Sequence, residues 1–443
     1  MSGGASTHGA DTGASPPTGG ATPGRDPAQR DCVRLLGLDG LRGVAASLIV
    51  VHHAANVSGA DRSAPYDVVA SVADVGVAVF FVLSGFVIYR PFARAHADGR
   101  PVPEAVPFWW RRLLRVLPAY WFALFGLWAL GLNSFDSPAE VLSQATLTHV
   151  FSPNQAFSGI SQSWSLSVEL SFYAVVPLIS WALRRRRRDP VPARTEWVMV
   201  GALFASGYLA RALLSIGEVT WADSTLRGMS FLWLPTNIDL FAIGMALAVF
   251  HARSFTGEGL AEAVRPRAAA FARTAQRSAR AAGPWWLAAA ALLIAYAYVA
   301  GPADFNVGYR GWFWERRQLA YGLIGFALVF PLSWSGGRGT TRAVLGSAVG
   351  VWLGAFSYGL YLWHNSWIAR LGTELAEPSP GLPQFLGTGP GYVWFPATLA
   401  VGFGLGLVCG AIGWFVVEQP TQRFRSPRWL PRSTRSGRPT DTR

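Results

Sequence analysis

Leu38-Asp39-Gly40-Leu41-Arg42-Gly43-Val44-Ala45-Ala46-Ser47-Leu48-Ile49-Val50-Val51-His52-His53-Ala54-Ala55-Asn56-Val57 decides the fold class. Twenty mostly apolar residues in a row are enough to cross a ~30 Å hydrocarbon core as one α-helix. Nine further segments outward from it read the same way: Ala70–Tyr89, Leu113–Leu132, Trp164–Leu183, Trp197–Ile216, Phe231–Phe250, Trp285–Ala300, Leu319–Trp334, Val349–Trp367 and Val393–Val416. The expected fold is therefore all-α, a polytopic membrane bundle of about ten transmembrane helices.

Composition agrees. Of 443 residues, 14% are charged, 13% aromatic and 51% hydrophobic, with mean hydropathy +0.27, whereas soluble domains average roughly 25% charged residues. Whole-chain disorder, a collagen repeat and a disulfide scaffold are excluded by the same figures and by the presence of only two cysteines. Cys32 falls in a polar segment and Cys409 in an apolar run, so no structural disulfide is expected.

The net charge is +13, and all 38 basic residues are Arg. Sorted by segment with the N-terminus in the cytoplasm, about 30 of them fall inside and about 6 outside. That asymmetry predicts cytoplasmic termini and an even number of crossings. It also accounts for the charge without a nucleic-acid partner. Residues 1–34 and 423–443 read as disordered cytoplasmic tails, the second one basic, flanking a membrane domain over 35–422. The Ala/Arg-rich segment 253–283 fits an amphipathic helix on the inner leaflet as well as it fits a solvated loop.

Ionisable groups within spans are costly and mark function by default. Arg42 and His53 are eleven residues apart, three helical turns, and so share one face about 16 Å apart. His52 points roughly 100° away. Counting depth at 1.5 Å per residue places His53, Glu169, Arg211, Asp239 and His364, from five spans, on one layer in the outer half of the membrane. Ser165 lies one turn from Glu169, and Ser357, Tyr361 and His364 line one stripe at i, i+4, i+7. Arg111, Arg112 and Arg115 precede Pro118, a set of guanidinium forks suited to phosphate, although spacing alone favours simple topology anchoring. No metal site is expected, because the seven His lack ligand spacing and the cysteines are isolated. Two glycine-containing stretches, Val82–Phe86 and Gly354–Ser357, read as helix-packing faces.

Taken in order, Leu38-Asp39-Gly40-Leu41-Arg42 through His53, Phe80-Phe81-Val82-Leu83-Ser84-Gly85-Phe86, Arg111-Arg112-Leu113-Leu114-Arg115-Val116-Leu117-Pro118, Ser163-Trp164-Ser165-Leu166-Ser167-Val168-Glu169, Ser357-Tyr358-Gly359-Leu360-Tyr361-Leu362-Trp363-His364 and Val417-Glu418-Gln419-Pro420 resemble the membrane acyltransferase 3 family over about 36–422. The resemblance implies a ten-span core and O-acyl transfer, often of acetyl from acetyl-CoA, to a hydroxyl of a polysaccharide, glycolipid or macrolide-type product. The family's Arg-to-His pair falls on Arg42 and His53, its paired arginines on Arg112 and Arg115, and its acid on Glu169. His52 stands where relatives commonly have an aromatic residue.

The expectations are then concrete. His53 is the general base, with Glu169 orienting a partner or stabilising the imidazolium. Arg42, Arg112 and Arg115 bind the donor, and Ser165, Asp239, Arg211, Tyr361 and His364 support the site. No cofactor is tightly bound; acetyl-CoA or another acyl-CoA is a co-substrate. Direct transfer and an acyl-enzyme relay both fit. A multi-pass location in the inner (plasma) membrane is expected. The alternative class is a multispan transporter using the same polar layer for a small or lipid-linked substrate, for which paired broken helices and an inverted repeat would be the signature.

Overall fold

The computed structural model describes residues 35–63, 67–185, 190–216, 225–256, 265–300, 312–334, 339–376 and 391–425. The expected tail 1–34, residues 426–443 of the expected tail 423–443, Cys32, Arg186–Arg188, Arg310 and Arg338 lie outside the described residues.

Within them the secondary structure is helical, with no strand. The principal helices, in chain order, are α1 (Leu36–Ser58), α2 (Val75–Asp98), α3 (Ala105–Ala129), α4 (Pro138–Ala145), α5 (Trp164–Arg185), α6 (Ala193–Ser215), α7 (Leu234–Thr256), α8 (Arg265–Arg280), α9 (Ala282–Ala300), α10 (Trp312–Val329), α11 (Ala348–Ala376) and α12 (Gly391–Gly413). Each of the ten expected spans overlaps one of these; α4 and α8 are the extra pair. Six helices, α2, α5, α6, α7, α9 and α12 with their flanking turns, are long and apolar enough to cross a membrane by length and composition. The other four, α1, α3, α10 and α11, fall short of that apolar standard. Among them are the helices that carry Arg42, His53, Arg112, Arg115 and His364.

Local sequence sets several boundaries. Gly59 and Gly99 close α1 and α2 with left-handed backbone, φ 75° and 65°, which glycine adopts without a Cβ penalty. Ser137 caps α4 by accepting from the Glu140 amide, with Pro138 in the first turn. The arginine-rich segment forms α8, whose Arg265, Arg267, Arg273, Arg277 and Arg280 are accompanied by no acidic residue.

The centre of the bundle is α2, buried along most of its length. Phe241 of α7 stacks on Phe81 of α2 (ring centroids 4.7 Å) and on Phe172 of α5 (4.2 Å). Close backbone approach explains both glycine stretches. A methyl group on Gly85 would collide with the Phe241 carbonyl and one on Gly244 with the Val82 carbonyl, so α2 and α7 touch backbone to backbone. Gly354 of α11 meets the Asp39 carbonyl of α1 in the same way. These contacts fix the rotation of α1 against α11, and therefore where its polar face points. Outward faces of α6 and α9 expose Leu209, Leu213, Leu287 and Ile294, as expected of surface that meets lipid tails.

Candidate active site

Helix α1 carries a polar group near each end, and the two ends meet different partners. At the Arg42 end, the guanidinium of Arg42 lies within electrostatic reach of Arg115, Glu169, Tyr173 and Asp39. Arg112, one turn before Arg115 on α3, packs over the rings of Phe108 and Tyr173 (5.7 and 5.8 Å), a cation–π arrangement. Glu169 of α5 accepts from Ser84 Oγ at 2.7 Å and from Tyr173 Oη at 2.6 Å. All three arginines are half-buried. Among the described residues, none of the three forms an ion pair or hydrogen bond. Glu169 is instead held by two hydroxyls, leaving three guanidinium groups with capacity for a polyanion.

At the His53 end, the imidazole of His53 is half-buried and lies 5.3 Å, centroid to centroid, from that of His364 on α11, with His52 edge-on at 5.2 Å. His364 is fully buried. Its Nδ1 faces the Leu360 carbonyl at 3.0 Å, one turn back on its own helix. Tyr361 approaches His364 at 6.1 Å, and its hydroxyl donates to the Gln162 carbonyl (2.7 Å) and pairs with Ser165 Oγ (2.7 Å). Gln162 in turn donates to the Tyr361 and Leu362 carbonyls. Ser165 stands one turn above Glu169 on α5, so polar groups run continuously from His53 through His364, Tyr361 and Ser165 to Glu169 and the arginines. Glu169 sits with the arginines, and it is His364 that adjoins His53.

Arg211 and Asp239 occur elsewhere. Arg211 of α6 makes a two-pronged ion pair with Asp239 of α7 (2.8 and 3.1 Å), bonds Glu315 of α10 at 3.2 Å and also donates to the Thr236 carbonyl. Tyr208 covers the guanidinium at 4.7 Å. Arg211 and Asp239 are each 1% exposed. The five residues expected on one layer are thus distributed over three clusters, His53 with His364, Glu169 with the arginines, and Arg211 with Asp239.

Several participants carried no signal in the sequence. Of the two residues that hold Glu169, Ser84 is an ordinary member of an apolar helix until the fold brings it there, whereas Tyr173 stands at i+4 from Glu169 on the same helix. A second buried cluster joins four helices: His96 faces Glu196 at 2.8 Å and Ser180 at 2.7 Å, Tyr89 donates to Glu196 at 3.0 Å, and Arg253 completes the carboxylate at 2.6 Å. Outside the spans, His149 lies 3.1 Å from Ser163, and burial pushes its pKa down to about 4. Among the described residues, no group of three or more His, Cys, Asp or Glu side chains could hold a metal ion.

The family model Acyl_transf_3, described as an acyltransferase domain, covers residues 35–416. The acyltransferase MdmB of Streptomyces mycarofaciens is 25% identical over 420 residues, 89% of this chain and 94% of the relative. Exopolysaccharide production protein ExoZ of Rhizobium meliloti (strain 1021) is 28% identical over 197 residues, 40% of this chain and 56% of ExoZ. YrhL of Bacillus subtilis (strain 168), which bears the name of a peptidoglycan O-acetyltransferase, is 27% identical over 157 residues, 32% of this chain and 23% of YrhL. No solved structure matches significantly. With the family model covering nearly the whole helical bundle, the chain belongs to the Acyl_transf_3 family of membrane acyltransferases.

Proposed function

We propose that the protein is an integral membrane O-acyltransferase that moves an acyl group, acetyl foremost, from acyl-CoA to a hydroxyl of a carbohydrate, glycolipid or secondary-metabolite acceptor. One observation carries the donor assignment: Arg42, Arg112 and Arg115 gather from two helices, without ion-pair partners among the described residues. Three such groups in a half-buried site attract a polyphosphate donor, and Arg forks bind phosphate bidentately. About 16 Å along α1, three turns away, is His53, a distance that an extended phosphopantetheine arm can cover.

In this reading His53 takes the proton of the acceptor hydroxyl. The acceptor oxygen attacks the thioester carbonyl, the C–S bond breaks, and the departing thiolate of CoA takes the proton back. Glu169, held by Ser84 and Tyr173, is a fixed carboxylate within electrostatic reach of Arg42 and Arg112. Ten crossings with both termini in the cytoplasm, in the inner (plasma) membrane, would present the arginine end to cytoplasmic acyl-CoA and the histidine end to the acceptor. ExoZ and YrhL, named for exopolysaccharide production and peptidoglycan O-acetylation, favour a glycan acceptor. Family membership favours the enzyme over the transporter.

The test is release of free CoA from acetyl-CoA by purified protein in detergent, with octyl glucoside and soluble peptidoglycan fragments as acceptors. Acceptor-dependent release with a +42 Da acetyl mass on the acceptor is the expected result. The absence of any acceptor-dependent release across glycan, glycolipid and macrolide hydroxyls would overturn the reading.

A further inference from the structure

His364 has a fixed tautomer and an unused lone pair. Its Nδ1 is 3.0 Å from the Leu360 carbonyl, which can only accept, so the proton resides on Nδ1 and Nε2 is the basic nitrogen. Nε2 is buried and has no hydrogen-bond partner among the described residues. A buried acceptor in that state has capacity for one more donor.

The neighbours narrow the choice. Tyr361 already donates to the Gln162 carbonyl and is engaged by Ser165. Glu169 is held by Ser84 and Tyr173. The imidazole of His53 is 5.3 Å away, centroid to centroid, tilted by 41°. That separation is about one N–H···N bond plus the two ring radii, so a rotation of His53 within its half-buried site brings the rings into hydrogen-bond contact. Gly406 of α12 lies against the Cα and Cβ of His364, so the backbone behind this ring is held.

We propose that His364 is the positioning residue of the His53 base: its Nε2 accepts the N–H of His53, fixes the His53 tautomer with the other ring nitrogen toward the acceptor hydroxyl, and stabilises the imidazolium once that nitrogen is protonated. The inference rests on the acyltransfer reading above. The proton moves from the acceptor hydroxyl to the outward nitrogen of His53 and then to the thiolate of CoA; the hydrogen bond to His364 is kept throughout and His364 is never acylated. The arrangement gives a neutral imidazole the orienting task that a carboxylate performs in Ser-His-Asp triads.

Two variants test it, assayed with acetyl-CoA and octyl glucoside. His364→Leu removes the acceptor, and His364→Gln restores an oxygen near the position of Nε2. The expected result is a loss of about 10²-fold in kcat for H364L with the KM for acetyl-CoA within twofold, while H364Q stays within tenfold of the wild type. A second readout needs no turnover: carbethoxylation of His53 by diethyl pyrocarbonate, followed on the His53 peptide by mass spectrometry, slows several-fold in H364L but not in H364Q. Wild-type kcat in H364L, or equal impairment of both variants with unchanged His53 carbethoxylation, overturns the proposal. If the wild type transfers nothing, the acyltransfer reading fails, and the carbethoxylation comparison still decides whether His364 holds His53.

Discussion

The His96–Glu196 cluster and the His53–His364 pair are both histidine sites inside the bundle, and they use their hydrogen bonds in opposite ways. Around His96, both ring nitrogens face a partner, and the Glu196 carboxylate is shared among His96, Tyr89 and Arg253. His96, Ser180 and Glu196 have the connectivity of a hydrolytic triad, yet all three are fully buried and the carboxylate is saturated. Such a closed network ties helices together. At His364 one nitrogen is fixed by its own helix and the other is left over. Arginines divide in the same manner: Arg211 is consumed by Asp239 and Glu315, whereas Arg42, Arg112 and Arg115 are not consumed by any carboxylate among the described residues. In these two comparisons the groups proposed to bind keep unused hydrogen-bonding capacity on the histidine and arginine side chains themselves, whereas those of His96 and Arg211 are taken up within the bundle.

The strongest way to break this comparison is to exchange the phenotypes. His53→Ala lowers kcat by roughly 10³-fold, within the range for removal of a general base, and leaves thermal unfolding unchanged. Glu196→Leu removes the carboxylate shared by His96, Tyr89 and Arg253 and costs about 3–5 kcal/mol of stability, read as a lowered Tm, while kcat at a permissive temperature is retained. If Glu196→Leu lost activity without losing stability, the closed cluster would be part of the chemistry.

A smaller effect sharpens the donor end. Arg42→Ala removes one charge-assisted contact of about 1.5–3 kcal/mol and raises the KM for acetyl-CoA by about tenfold or more, with kcat changed less. Arg211→Met, by contrast, lowers Tm and leaves that KM unchanged. Steady-state kinetics with acetyl-CoA as the varied substrate separates the two.

A further expected effect is in pH dependence. Burial holds His149 at about 4 against an ordinary 6.5, so between these values the unfolded chain binds more protons than the folded one. Stability therefore falls as pH drops from 6.5 toward 4, by at most about 1.4 kcal/mol per pH unit for this group. His149→Gln removes that contribution, and the Tm of the variant declines less steeply over that window.

Much of this was legible in the sequence, for definite reasons. Apolar runs locate helices because a membrane needs some twenty residues per crossing, and each expected segment overlaps a long helix. The eleven-residue step from Arg42 to His53 was readable because both lie on one helix, where 3.6 residues per turn sets face and distance. Depth counting placed Arg211 and Asp239 level with His53, but depth gives no azimuth. Groups at equal depth on opposite sides of a bundle look alike in sequence, and only the fold pairs Arg211 with Asp239 and Glu315. Ser84 and the His96–Glu196 contact were illegible for a related reason: the partners are 85 and 100 residues apart, with no local pattern to announce them, whereas Tyr173 stands one turn from Glu169 on the same helix. The glycine stretches were read correctly as packing faces, since loss of a side chain has one steric use where two helix backbones touch.

In the acyltransfer reading Arg42, Arg112 and Arg115, without ion-pair partners among the described residues, receive the donor. Equilibrium binding of acetyl-CoA to the purified protein, compared between the wild type and the double variant Arg112→Ala/Arg115→Ala, tests it most directly. At least about tenfold weaker binding in the double variant is expected, with a weaker dependence on salt. Wild-type affinity in that variant would contradict it.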